Sequence, residues 1–242
     1  MVTSEPAELL AVWESGLPRD PAGRALLLHR AARPGASDEE LRAVPVGERA
    51  ADLLLLRREL FGERMQVVAG CDECEQDMEF ELDVSRLAER PAERELQVSA
   101  DGFLVEFRLP TVADVEAAAA GRTAEERRLR LLSRCTVTAA RDGEPVGCEV
   151  LPVTVQRRMA EEAERADPAA DLTLRVSCPE CGGTTSSALD VTGHLWAELD
   201  SWARDVLLDV HLLASAYGWS EPSILALSPL RRRYYLELCA DG

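Results

Sequence analysis

The sequence contains no lysine. All 27 of its basic residues are arginine, set against 44 Asp and Glu, for a net charge of −17. A field this acidic repels phosphate backbones, so nucleic acid is disfavoured as the main partner. Histidine is scarce: His29, His194 and His211 are all there is, which leaves little material for imidazole catalysis. No stretch approaches the roughly 18 consecutive apolar residues of a membrane span. The start, Met-Val-Thr-Ser-Glu-Pro-Ala, has no basic stretch followed by an apolar one, so no secretory leader is read and a cytoplasmic location is expected. A Gly-rich phosphate loop, a nucleophile elbow, an H-E-x-x-H helix and an acidic metal cluster are all missing from the sequence. A small-molecule substrate is therefore not expected, and neither is an enzyme. What is present is a 46% hydrophobic chain of 242 residues, enough for one or two domains with real cores.

The seven cysteines are Cys71, Cys74, Cys135, Cys148, Cys178, Cys181 and Cys239. Four of them form two C-x-x-C pairs, which in a reducing compartment point to a metal rather than to disulfides. The pairs belong to an internal echo. Cys71-Asp72-Glu73-Cys74 recurs 107 residues later as Cys178-Pro179-Glu180-Cys181, and Leu82-Asp83-Val84 recurs at the same offset as Leu189-Asp190-Val191. Strand-like residues precede both pairs, at 65–69 and 172–176. Two copies of strand, knuckle and strand make the two halves of a zinc ribbon. Two residues between thiolates let one tight turn aim both sulfurs at one ion, and two such turns close a tetrahedral Zn site. Gly182 supplies the left-handed residue that such a turn favours, whereas the first copy has Glu75 in its place. A ribbon without metal and a redox dithiol are the competing readings. The other three cysteines read as small buried apolar residues. A Cys135–Cys148 bridge across the Asp142-Gly143 turn is a further option that nothing in the sequence requires.

Periodicity and punctuation outline the rest. Helices are expected over 5–14, 22–32, 50–61, 114–120, 123–135 and 153–166, with Ser37 capping a short one. A strand is expected over 103–109 and a turn at Asp142-Gly143. From Leu195 the apolar residues Leu199, Trp202, Val206, Val210, Leu213 and Tyr217 follow at helical spacing. Ser220-Glu221-Pro222 and Ser228-Pro229 start two more helices. The fold expected is α+β. Mainly helical regions at 1–66 and 193–242 surround a split zinc ribbon at 67–84 and 172–192, with an inserted α/β subdomain at 85–171.

The C-terminal region also offers a contact surface. Trp196, Trp202 and Trp219 suit a helix-on-helix core, or a protein interface where exposed. Arg231, Arg232 and Arg233 are a solvated face or a contact for an anionic partner, with Leu230, Tyr234 and Leu238 packing inward. The candidate partner-binding residues are Trp196, Trp219, Arg231, Arg232, Arg233 and Tyr234.

The order of motifs resembles a known family. A helical segment ending Leu-Arg-Arg-Glu-Leu-Phe-Gly (56–62) precedes the first knuckle. Phe-Leu-Val-Glu-Phe-Arg-Leu-Pro-Thr-Val-Ala-Asp-Val (103–115) follows, then Cys-Pro-Glu-Cys-Gly. Last come His-Leu-Trp-Ala-Glu-Leu-Asp-Ser-Trp (194–202) and Ala-Tyr-Gly-Trp-Ser-Glu-Pro-Ser (216–223). Over about residues 48 to 240 this resembles the baseplate hub assembly chaperones of T-even-type contractile phages, with relatives in phage-tail-like contractile injection systems. The resemblance implies a non-enzymatic assembly factor whose partner is a baseplate hub or spike protein; the one stabilising zinc comes from the cysteine spacing. The competing functional reading is a zinc-ribbon regulator that binds nucleic acid, which the charge opposes. A metal-dependent or thiol enzyme lacks both an open metal position and a base.

Overall fold

Proline and small polar caps set the helix starts. In the computed structural model, which describes residues 5–92 and 94–240, α1 (Pro6–Gly16) and α2 (Pro21–Ala32) open on proline, where its missing N–H is no loss. The short α3 (Asp38–Arg42) carries a full capping box between Ser37 and Glu40. Helix α4 (Val46–Phe61) stops at Gly62, whose φ of 91° suits glycine. The chain then runs β1 (Arg64–Gly70), β2 (Asp77–Asp83), β3 (Glu95–Ala100), β4 (Phe103–Arg108), α5 (Val112–Ala119), α6 (Ala124–Cys135), β5 (Thr136–Arg141) and β6 (Glu144–Pro145). It finishes with α7 (Val153–Ala166), β7 (Thr173–Ser177), β8 (Thr184–Ala188), α8 (Val191–Tyr217), α9 (Glu221–Leu225) and α10 (Pro229–Ala240). The chain is α+β and divides into two units: Gly35–Asp190, and the residues up to Pro34 together with those from Val191 onward.

In the helical unit α1 and α2 pack against α8. Leu10, Leu28, Leu195, Leu199 and Leu213 are buried there, each stabilising the unit by about 1.5–3 kcal/mol over an exposed position. Gly16 is glycine because a Cβ would meet the Trp196 ring at 2.4 Å. The α8 stripe is buried at Leu195, Leu199, Val206 and Leu213 as its spacing predicts, but Trp196 and Ala203 join it. Tyr217 is 39% exposed.

In the other unit, β3-β4-β5-β6 form one antiparallel sheet. While β4 reaches β5 by way of α5 and α6, Asp-Gly turns join β3 to β4 (Asp101-Gly102) and β5 to β6 (Asp142-Gly143), with all four residues at positive φ. That geometry matches the strand twist of a two-residue hairpin. All three strand pairs are antiparallel, so the insert is α+β rather than an α/β unit with a parallel sheet. Strand β4 alternates strictly, sending Phe103, Val105 and Phe107 inward onto Val155 and Met159 of α7. Strand β3 has no counterpart in the expectation from sequence. It contributes only Leu96 and Val98 to the core.

Three polar nodes hold this unit together. The Asp114 carboxylate, 1% exposed, accepts from Arg108 Nη1 and Nη2 at 2.5 and 3.1 Å and from Arg134 Nε at 2.8 Å. It also closes a capping box with Thr111, accepting from its N–H at 2.9 Å and its hydroxyl at 2.7 Å. The Arg-Leu-Pro-Thr-x-x-Asp segment is thus a buried charge cluster that starts α5. Near the start of α4, the Gly47 N–H donates to Asp167 Oδ2 at 3.0 Å across 120 residues. A Cβ at Gly47 would sit 1.9 Å from the other Asp167 oxygen. Farther along α4, buried Glu48 and Asp52 accept from Arg94 and Arg90, each at 2.5 Å.

Candidate metal centre

Hairpins β1-β2 and β7-β8 are separate two-stranded sheets, and each carries one C-x-x-C turn at its tip. The sequence echo is also an echo in backbone hydrogen bonds. The Cys71 N–H donates to Gln76 O at 2.9 Å, and the Cys178 N–H to Gly183 O at 2.7 Å. Glu75 N–H donates to Cys71 O, and Gly182 N–H to Cys178 O, both at 2.9 Å. Glu75 takes φ 59° and Gly182 φ 76°, so the non-glycine residue adopts the same left-handed turn. Its steric cost is about 1–2 kcal/mol. The first knuckle therefore does not depart from the second in backbone form. Both Leu-Asp-Val segments also act alike: Val84 opens a helical turn after Asp83, and Val191 opens α8 after Asp190.

The two tips meet. Cys71 Sγ lies 3.6 Å from Cys181 Sγ, and Cys74 Sγ lies 3.7 Å from Cys178 Sγ. All four sulfurs fall within 4.8 Å of one another. A disulfide would need about 2.05 Å, and the cysteines are free. Four sulfurs on a tetrahedron around zinc, with Zn–S of about 2.3 Å, stand about 3.8 Å apart. The donor set and spacing therefore fit a four-thiolate ion. Cys71 and Cys178 are buried and Cys181 faces solvent. A cross-knuckle bond from the Asp72 N–H to the buried Thr185 hydroxyl, at 3.0 Å, holds the tips in register.

The electrostatics ask for a cation. The N–H groups of Cys74 and Glu73 draw the Cys71 thiol down to about 6. Cys181 receives a Gly183 N–H, which acts the other way, yet the facing Cys71 and Cys74 thiols push it up to about 12. For Cys74 the Gln76 N–H pulls downward and Cys181 adds to that pull, but burial and the Cys71 and Cys178 sulfurs outweigh them and raise the thiol. One thiolate forms readily, and further ones repel it unless a positive ion neutralises them.

Cys135, Cys148 and Cys239 are not members of this cluster. Burial pushes the Cys135 thiol up to about 11, which makes it a poor nucleophile.

The proposed partner residues are placed unevenly. Trp196 is buried, with Arg24 stacked 4.5 Å over its ring, so it is not part of an exposed surface. Arg232 is also buried, paired with Asp209 at 3.1 Å. Arg231, Arg233 and Tyr234 are exposed. The expected inward packing of Leu230, Tyr234 and Leu238 is reversed, since each is more than 60% exposed. The reason is an aromatic trio. Tyr217 stacks on Trp219 at 4.7 Å, and Tyr235 meets both rings edge-on at 5.8 and 4.9 Å. That contact turns the Arg232, Tyr235 face of α10 toward α8 and leaves the Leu230, Tyr234, Leu238 face outward.

Comparison with known proteins defines the class. A family model described as T4 bacteriophage base plate protein matches residues 33–193, well over half of the chain. The chain belongs to that family and is a phage baseplate-associated protein. The match contains both knuckles and the Asp114 cluster, and it ends before most of α8, short of the span to about residue 240 that the motif order suggests. No curated protein and no solved structure matches. Among the described residues, no helix is long and apolar enough to cross a membrane.

Proposed function

We propose that the chain is a non-enzymatic assembly factor for the hub or spike of a contractile phage baseplate or related contractile injection system. In this reading it acts in the cytoplasm and carries one structural zinc on Cys71, Cys74, Cys178 and Cys181. The observation that carries it is the base plate family match spanning both knuckles, whose four sulfurs have tetrahedral spacing. Four thiolates fill the coordination of zinc and leave no position for a substrate or an activated water. When bound, the ion supplies a cross-link and neutralises the thiolates, and its binding energy becomes folding energy. The protein works by differential binding: it covers a surface of an incompletely assembled hub component and is displaced when the next component docks. Exposed Arg231, Arg233 and Tyr234 on α10 contribute to the contact.

Two measurements test this reading. Co-expression with baseplate hub and spike proteins is expected to yield a co-purifying complex, and deletion is expected to abolish particles. Normal particles from the deletion strain, together with no complex, refute the assembly role. Elemental analysis is expected to find one zinc per chain, lost in Cys71→Ser. A metal-free protein that folds normally refutes the zinc.

A further inference from the structure

Helices α6 and α7 are strongly amphipathic, yet little of either is buried. Cys135 is the only buried residue of α6, and Val155 and Met159 are the only ones of α7. Between them lies an open groove of about 350 Å³. Phe107 and Met159 form its floor, Leu131 and Leu132 of α6 one wall, and Ala160 and Ala163 of α7 the other. The alanines stand three residues apart, so that wall is low and admits the close approach of another helix. Val153, at one end, is 65% exposed.

The charge of the groove is opposite to that of the chain. Its lining holds Arg108, Arg128 and Arg157 and no Asp or Glu, in a protein of net charge −17. Asp114 occupies Arg108. Arg128 makes no ion pair with any described residue. Arg157 reaches Glu161 only at 3.8 Å, with both side chains more than half exposed, a contact of little worth. Two guanidinium groups, one on each wall, thus stand over an apolar trough. We infer that this groove is a docking site for an acidic amphipathic helix of another protein, its leucine-type face in the trough and its carboxylates on Arg128 and Arg157. The trough is open along two helices, whereas a site for a small apolar molecule encloses most of its ligand. The inference rests on the assembly-factor reading only in taking that helix to belong to a baseplate component.

The test uses the full chain and two labelled probe peptides of about 18 residues, long enough to be helical. Both carry leucine at every third or fourth position. One has Glu and the other Lys on its remaining exposed positions. Fluorescence anisotropy is expected to show saturable binding of the Glu peptide and not of the Lys peptide. Arg128→Glu/Arg157→Glu should weaken the Glu peptide by roughly tenfold or more and gain binding of the Lys peptide. Ala160→Trp, which fills the trough from an exposed position, should abolish binding while the thermal midpoint is unchanged. The inference is overturned if both peptides bind alike, if Ala160→Trp binds as the wild type does, or if dodecanoate saturates the groove while neither peptide does. Should hub proteins co-purify equally with wild type and Ala160→Trp, the groove is wrong and the assembly role stands. Peptide binding as described, with no hub complex, keeps the groove and removes the assembly role.

Discussion

Replacing Asp114 tests whether the Arg-Leu-Pro-Thr-x-x-Asp segment is a structural cluster. The carboxylate accepts five hydrogen bonds, three from arginine and two from Thr111. Removing one partner of a buried ion pair costs about 3–5 kcal/mol. Arg108 and Arg134 are 35% and 44% exposed and can rehydrate, which lowers that figure. Loss of the α5 capping interaction adds about 1 kcal/mol. Asp114→Ala is therefore expected to lose about 3 kcal/mol, which for a unit of this size lowers the thermal midpoint by about 6–12 °C. Asp114→Asn keeps the shape and removes the charge, so about 2 kcal/mol is expected. The pH dependence has a definite sign. Burial opposes ionisation of Asp114, but the Arg108 and Thr111 bonds overcome it and hold its carboxyl well below the usual 3.8. A carboxylate depressed in the folded state stabilises fully above its unfolded value and loses that contribution as pH falls. The gap between wild type and Asp114→Asn should be complete at neutral pH and shrink from about pH 4 downward. Urea unfolding at a series of pH values measures it. A gap under about 0.5 kcal/mol at pH 7, or one that grows on acidification, refutes the reasoning.

Gly47→Ala places a methyl 1.9 Å from Asp167 Oδ1 and 2.7 Å from the Ala170 nitrogen, so a loss of about 2–3 kcal/mol is expected in denaturant unfolding. Asp209→Ala leaves the buried Arg232 guanidinium without its carboxylate and should cost about 2 kcal/mol, whereas Asp209→Ala/Arg232→Met should recover most of it. Chelation should release the amides of β1, β2, β7 and β8 to hydrogen exchange while the β3-β6 sheet and α7 stay protected. The two cores share no residue, and the knuckle core has only Ala69, Cys71, Met78 and Cys178 buried.

The features legible in the sequence are those that act locally. Proline and capping residues located most helix starts within a few residues, and the Asp142-Gly143 turn was visible from its two residues alone. The four-cysteine cluster is legible because its signal repeats: the 107-residue echo carries the same turn twice, and the turn fixes the sulfur positions. What was not legible depends on partners far along the chain. Arg134 lies 20 residues from Asp114, beyond the Arg108 and Thr111 partners that share its short segment, and Asp167 lies 120 from Gly47, so no short window shows either of these two contacts. The orientation of α10 is hidden from the sequence for a similar reason. Leu230, Tyr234 and Leu238 form the more apolar stripe, but Tyr235 is claimed by Tyr217 and Trp219, and that contact sets the rotation of the helix.

The unit Gly35–Asp190 is organised by long-range directional ties as much as by apolar burial. The start of α4 is held by Asp167, its Glu48 and Asp52 by Arg94 and Arg90, the start of α5 by Arg108 and Arg134, and the two knuckles by their converging sulfurs. Buried ion pairs add little net stability compared with well-packed apolar substitutes, but each has a single geometry that satisfies it. The assembly factor proposed above would gain from that specificity, since it would present fixed surfaces to a partner. The groove between α6 and α7 shows the consequence. Its two walls are positioned by the Arg134–Asp114 contact on one side and by the sheet beneath α7 on the other. The trough therefore keeps its shape although no described residue fills it.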